Sequence, residues 1–132
     1  MRYFTAEEAN AALEKVRPLT EDLVARRRAL SELQERHGSL TQRIAGNGGD
    51  LDPRELEEAR ERLDEEVAGI ARCVAQIHEL GALVKDLDQG LVDFPARREG
   101  EDVLLCWRLG EEEIGFWHGL EEGFSGRKPL SL

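Results

Sequence analysis

The chain has 132 residues, enough for one domain with a modest core and too few for two independent ones. With 35% charged and 5% aromatic residues it points to long solvated helices, and a formal net charge of -10 argues against nucleic acid or an anionic membrane as the main partner. No apolar run is long enough to span a bilayer and the opening MRYFTAEEAN lacks a signal-peptide core, so a cytoplasmic location is expected, with Cys73 and Cys106 as reduced thiols.

The first predicted element is a helix over 6–45. Thr5 followed by Glu8 forms a capping box, and Phe4 is placed to act as a staple on the first turn. Apolar residues then recur in steps of three and four: Ala9, Ala12, Val16, Leu19, Leu23, Leu30, Leu33, Leu40 and Ile44, with Arg26 and His37 as polar interruptions. Pro18 lies inside the stripe and predicts a kink, because its ring removes one helical hydrogen bond.

The run Gly46-Asn47-Gly48-Gly49 breaks the pattern, and Asp52-Pro53 restarts it as a cap followed by proline at the first helical position. A second helix is expected over 53–88, with Leu56, Leu63, Ile70, Ile77 and Val84 in one heptad position and Ala59, Glu66, Cys73, Leu80 and Leu87 in the other. Antiparallel partners keep a constant residue sum, and a sum of 96 aligns the whole seam: Leu40 with Leu56, Leu33 with Leu63, Leu23 with Cys73, Val16 with Leu80. That register brings Arg26 within a turn of Glu66, either as a register-setting pair or as two solvated charges. The triple arginine 26–28 reads as a solvated face matched by the acidic second helix rather than an anion patch, and His37 and His78 lack a second ligand at metal spacing. Residues 67–84 are apolar over a broad face that needs a third element, with any remainder available for a dimer.

The stretch 90–118 reads as a three-stranded antiparallel meander, with strands over 91–97, 102–109 and 114–118, followed by a C-terminal loop over 119–132. Pairing Ala96 with Val103 puts Val92, Phe94, Ala96, Val103, Leu105 and Trp107 on the face that lies on the helices, and sets Asp93 opposite Cys106 on the other. Two registers are available for the second hairpin. In the preferred one Leu109 pairs with Ile114, Trp117 faces Cys106 and His118 turns toward the helices. Shifted by one, it gives a row Asp93, Cys106, His118, in which an imidazole and a carboxylate stand beside a thiol as a nucleophile or metal-ligand set. In the tail, Arg127 either receives an anion or answers the acidic turn 111–113 while Phe124 anchors the loop.

The segments YFTAEEANAAL, KDLDQGLVDFPA, LLCWRLGE, FWH and GFSGRKPL, in this order and at these spacings, resemble the bacterial domain-of-unknown-function family catalogued as 2203 over essentially the whole chain. The resemblance implies a long helical region followed by a short strand-rich end, and no particular activity, substrate or cofactor. Its pattern matches here at Glu8, Asn10, Lys85, Asp93, Cys106, Glu111, Trp117, His118 and Arg127, among others. The family's Leu-Pro after the opening motif reads Leu13-Glu14 in this chain.

The expected architecture is therefore α+β: a long, coiled-coil-like, antiparallel two-helix hairpin with a three-stranded meander packed on its open end. Two functions from different classes fit it. One is an interaction or assembly module that forms a homodimer or binds a protein partner. The other is a small-molecule, anion or metal site at the sheet and hairpin junction, with Asp93, Cys106 and His118 as chemical candidates and Glu8, Asn10, Lys85, Glu111, Trp117 and Arg127 as ligand-binding ones.

Overall fold

Thr5 and Glu8 close the predicted capping box: the Thr5 backbone N–H donates to Glu8 Oε1 at 2.9 Å, and the Glu8 N–H donates to Thr5 Oγ1 at 3.1 Å. From that cap, in a computed structural model describing residues 2–47 and 52–130, helix α1 runs over Ala6–Asn47, 42 residues and about 63 Å long. Pro18 sits inside it without interrupting it. Gly48 and Gly49 of the predicted breaker lie outside the described residues. Asp52 then caps α2 (Pro53–Glu79), accepting from the Arg54 N–H at 3.0 Å, with Pro53 in the first turn as expected.

The two helices pack against each other in the predicted antiparallel sense. Cys73 Sγ donates to Asp22 Oδ2 at 3.3 Å and Arg26 Nη1 to Glu66 Oε1 at 3.2 Å, both within one turn of the predicted register. The Arg26 guanidinium also occupies the place a side chain at Gly69 would take.

The second helix ends at Glu79, well short of the expected boundary at 88. Gly81 adopts φ +96, a conformation that only glycine takes readily, and its N–H bonds the His78 carbonyl to close the last turn. Residues 83–86, read as helix from their apolar spacing, instead form strand β1 (Leu83–Asp86). The sheet continues through β2 (Leu91–Arg98), β3 (Glu101–Arg108), β4 (Phe116–Gly119) and β5 (Lys128–Pro129), giving five antiparallel strands in sequential order where three were expected. A 3-10 turn over Phe124–Gly126 precedes β5 within the expected C-terminal loop; residues 131–132 lie outside the described residues.

The first long hairpin has the predicted register, Ala96 with Val103 and Asp93 with Cys106. The next pair has neither register considered from the sequence: Cys106 pairs with Phe116, Leu105 with Trp117 and Leu104 with His118. The cause is tertiary. Ile114 does not join the sheet, because its N–H donates to Asn10 Oδ1 at 2.7 Å and its side chain is buried. The connection over 109–115 is held instead by Trp107 Nε1 donating to the Glu111 carbonyl at 3.0 Å and by the Arg108 N–H donating to Glu111 Oε1 at 2.8 Å.

One face of the sheet, with Val92, Phe94, Ala96, Val103, Leu105 and Trp107, packs on Ala9, Leu13, Val16, Leu23, Cys73 and Ile77 of the hairpin to make the core. Phe4 enters the same core edge-on to Phe94, with ring centroids 5.2 Å apart, and its N–H donates to the Pro95 carbonyl. Only the half of the hairpin nearest the sheet is covered in this way; Leu33, Leu40, Leu56 and Leu63 at the far half are only half-buried.

Candidate functional site

Because the second hairpin's pairing keeps Cys106 and His118 at the same parity, both point to the sheet face away from the helices, as Asp93 does. This corrects two expectations: His118 does not turn toward the hairpin, and the candidate site is not at the sheet and hairpin junction. It lies on the outer face, closed over by the segment 120–124. His118 sits two residues along from the row of Cys106 and reaches diagonally across β3. There its Nε2 meets Asp93 Oδ2 at 3.1 Å, with both side chains under 5% exposed. One ligand-type atom from each of Asp93, Cys106 and His118 lies within 4.8 Å of the others.

The proton positions follow from the partners. His118 Nδ1 stands 2.8 Å from the Gly119 carbonyl oxygen, which can only accept, so Nδ1 carries a hydrogen. Nε2 therefore either donates to an ionised Asp93 or accepts from a protonated one. In both arrangements a single proton lies between the two groups and the pair is neutral overall. Burial pushes the Asp93 carboxyl above the usual carboxylate range, opposed chiefly by His118 and then by the Lys85 charge and the Cys106 thiol.

Cys106 is 1% exposed, and burial, followed by the neighbouring Asp93 carboxylate, pushes its thiol up to about 12. This is opposite to what a nucleophilic cysteine needs. In a Cys73→Ala background with a chelator present, a thiol reagent at pH 8 is expected to modify Cys106 roughly a thousandfold more slowly than a free cysteine. Its rate should still be climbing with pH well above the pH at which a free thiol levels off. A plateau in the ordinary thiol range would show that neither burial nor the carboxylate raises it.

A cavity of about 240 Å³ opens over the cluster, lined by Lys85, Leu91, Leu104, Leu120, Glu122 and Phe124 together with the three candidates. Of its walls, Lys85 is the one named from the sequence as a ligand-binding candidate. Leu91 and Leu104 belong to the first long hairpin, whose register was legible; Leu120, Glu122 and Phe124 depend on how the tail folds back. Glu122 holds that tail, accepting from the Gly119 N–H and from Lys128 Nζ, both at 2.8 Å.

The remaining candidates are not brought into this cavity. Glu8 is occupied by the helix cap and Asn10 by the Ile114 N–H. Trp117 lies on the opposite face beside Leu105, with Arg98 and Lys128 over its ring at 4.8 and 4.7 Å. Arg127 is held against the rings of Phe116 and Phe124, at 3.9 and 4.4 Å, and its Nη2 bonds both carboxylate oxygens of Glu111 at 2.9 Å. That arrangement is the expected answer of Arg127 to the acidic turn, and it engages both residues with each other.

The sequence did not indicate Arg17. It donates to the Glu111 and Glu112 carbonyls at 3.0 and 2.6 Å and lies 5.4 Å from the centroid of Trp107, fastening the loop to α1. Among the described residues no helix is long and apolar enough to cross a membrane. None of the curated proteins and none of the solved structures matches the chain. A family model described as an uncharacterised conserved protein, DUF2203, matches residues 2–130, and the chain belongs to that family.

Proposed function

We propose that the protein is a self-assembly module that pairs with a second copy through the far half of its helical hairpin. The observation that carries this reading is the missing third layer there. Where the sheet packs, the seam residues Leu23, Cys73 and Ile77 are buried, whereas Leu33, Leu40, Leu56 and Leu63 are half-buried and Val67 is 52% exposed. A two-helix projection leaves one side of each apolar stripe in water, and a matching hairpin covers it. The sheet takes up most of the 67–84 face, and Val67 belongs to the remainder left for a second copy.

Charge selects the partner. Residues 26–43 carry five arginines against two glutamates, while residues 54–66 carry seven acidic residues against three arginines. Arg26 is paired with Asp22 and Glu66 and Arg27 with Asp88, but Arg28 and Arg36 have no ion partner among the described residues. In a two-fold dimer that lays the basic helix of each copy on the acidic helix of the other, both contacts are attractive at once.

The test is charge reversal read by sedimentation velocity. A chain with Arg28→Glu and Arg36→Glu, and a second chain with Glu58→Arg and Glu65→Arg, should each dimerise at least about tenfold more weakly than the parent. Mixed together they should form a heterodimer. A parent chain that is monomeric at every attainable concentration, or reversed chains that dimerise as well alone as mixed, would end this reading.

A further inference from the structure

We propose that Asp93, Cys106 and His118 are the protein ligands of a divalent transition-metal ion of the zinc and cobalt class. The donor set is one carboxylate oxygen, one thiol sulfur and one imidazole nitrogen, a mixture that suits borderline-soft ions rather than magnesium or calcium. The three atoms already lie within 4.8 Å of one another, and Asp93 Oδ2 and His118 Nε2 are 3.1 Å apart. Ligand atoms around a tetrahedral zinc stand roughly 3.5 Å apart, so only small side-chain rotations separate this cluster from a coordination shell.

The histidine is braced for the role. Nδ1–H donates to the Gly119 carbonyl, which fixes the tautomer that presents Nε2 toward Asp93 and Cys106. Ligating histidines are commonly oriented by such a bond from the other ring nitrogen. Three protein ligands leave one position free, and the cavity of about 240 Å³ stands over it with Lys85 in its wall. That position has room for a water or a small anion, with Lys85 favouring the anion.

Charge balance favours a dication in particular. As ligands the three supply a carboxylate, a thiolate and a neutral imidazole, so that a dication leaves the buried site without net charge. A monovalent ion would leave one negative charge in a site whose residues are under 5% exposed, and a trivalent ion one positive charge, each at a desolvation cost.

The test is titration of the full metal-free chain with Co²⁺ under reducing conditions. The expected result is one-to-one binding with thiolate-to-cobalt charge-transfer absorption and the intense visible bands of a tetrahedral ion. Cys106→Ser should abolish the charge-transfer band and weaken binding at least about tenfold. Cys73→Ser, whose thiol bonds Asp22 on the other side of the sheet, should change neither. A weak octahedral spectrum, a charge-transfer band that follows Cys73, or one that survives Cys106→Ser would overturn the assignment. If Cys106→Ser does not fold, X-ray absorption on the zinc-loaded parent decides instead: one sulfur scatterer supports the site and none refutes it. Because the cluster is remote from Arg28 and Arg36, the charge-reversed chains should bind the ion unchanged, so the two proposals fail separately.

Discussion

Replacing Trp107 with alanine is expected to remove about 3–5 kcal/mol of stability, a large fraction of what a small domain has. The side chain is fully buried on β3, facing the hairpin, so truncation opens a cavity between the two layers. It also unties a loop. Trp107 Nε1 is one of the bonds to the Glu111 carbonyl, and its ring lies under the Arg17 guanidinium that fastens the same carbonyl to α1. Urea denaturation followed by far-ultraviolet circular dichroism measures the loss. Trp107→Phe keeps most of the volume and sacrifices the hydrogen bond, so its cost should be nearer about 1 kcal/mol. A loss below about 1 kcal/mol for the alanine variant would mean that the sheet is not seated on the hairpin through this residue.

Asp93→Ala should cost about as much, roughly 3–5 kcal/mol, for a different reason. It strands His118, whose Nε2 bonds Asp93 and whose side chain is 4% exposed. Removing both members of the dyad should hurt less than removing one. Asp93→Leu combined with His118→Leu exchanges a satisfied polar pair for apolar contact and should recover most of the loss. The parent also has a pH signature in the absence of metal. The folded Asp93 carboxyl binds its proton more tightly than the unfolded one. The native state thus holds more protons between the ordinary carboxylate range and the raised value, and stability falls as pH rises through that window. Asp93→Asn should flatten that slope. A single and a double variant of equal stability would show that the dyad contributes no coupling.

The long helices were legible because their determinants are local. Thr5 and Glu8, Asp52 and Pro53, and the heptad stripe act within a few residues, and the seam register follows from them by arithmetic. The end of the second helix was not, because Leu80, Val84 and Leu87 keep the helical spacing through a segment that forms a strand. Its terminator is Gly81, whose positive φ the sequence permits without requiring. The first long hairpin was readable from its alternation and its Glu99-Gly100 turn. The second was not, since the length of its connection is decided by a hydrogen bond from Ile114 to Asn10, 104 residues earlier. That bond holds the connection in the length that puts His118 on the same face as Asp93 and Cys106. The candidate cluster was thus visible as a set of residue types and as one of two parities, and which parity holds was a tertiary fact.

The same long tethers govern the order in which the molecule can form. Phe4 bonds Pro95, Arg17 bonds Glu111 and Asn10 bonds Ile114, whereas each strand of the sheet pairs with its neighbour in sequence and the hairpin closes on itself. During synthesis the first turns of α1 leave the ribosome on the order of ten seconds before the strands that will cover Ala9, Leu13 and Val16. Closure onto α2 shields only the seam in that interval. The apolar side destined for the sheet waits in solvent, which makes docking of a late, locally folded meander onto an early helix the step at which chaperones and self-association compete.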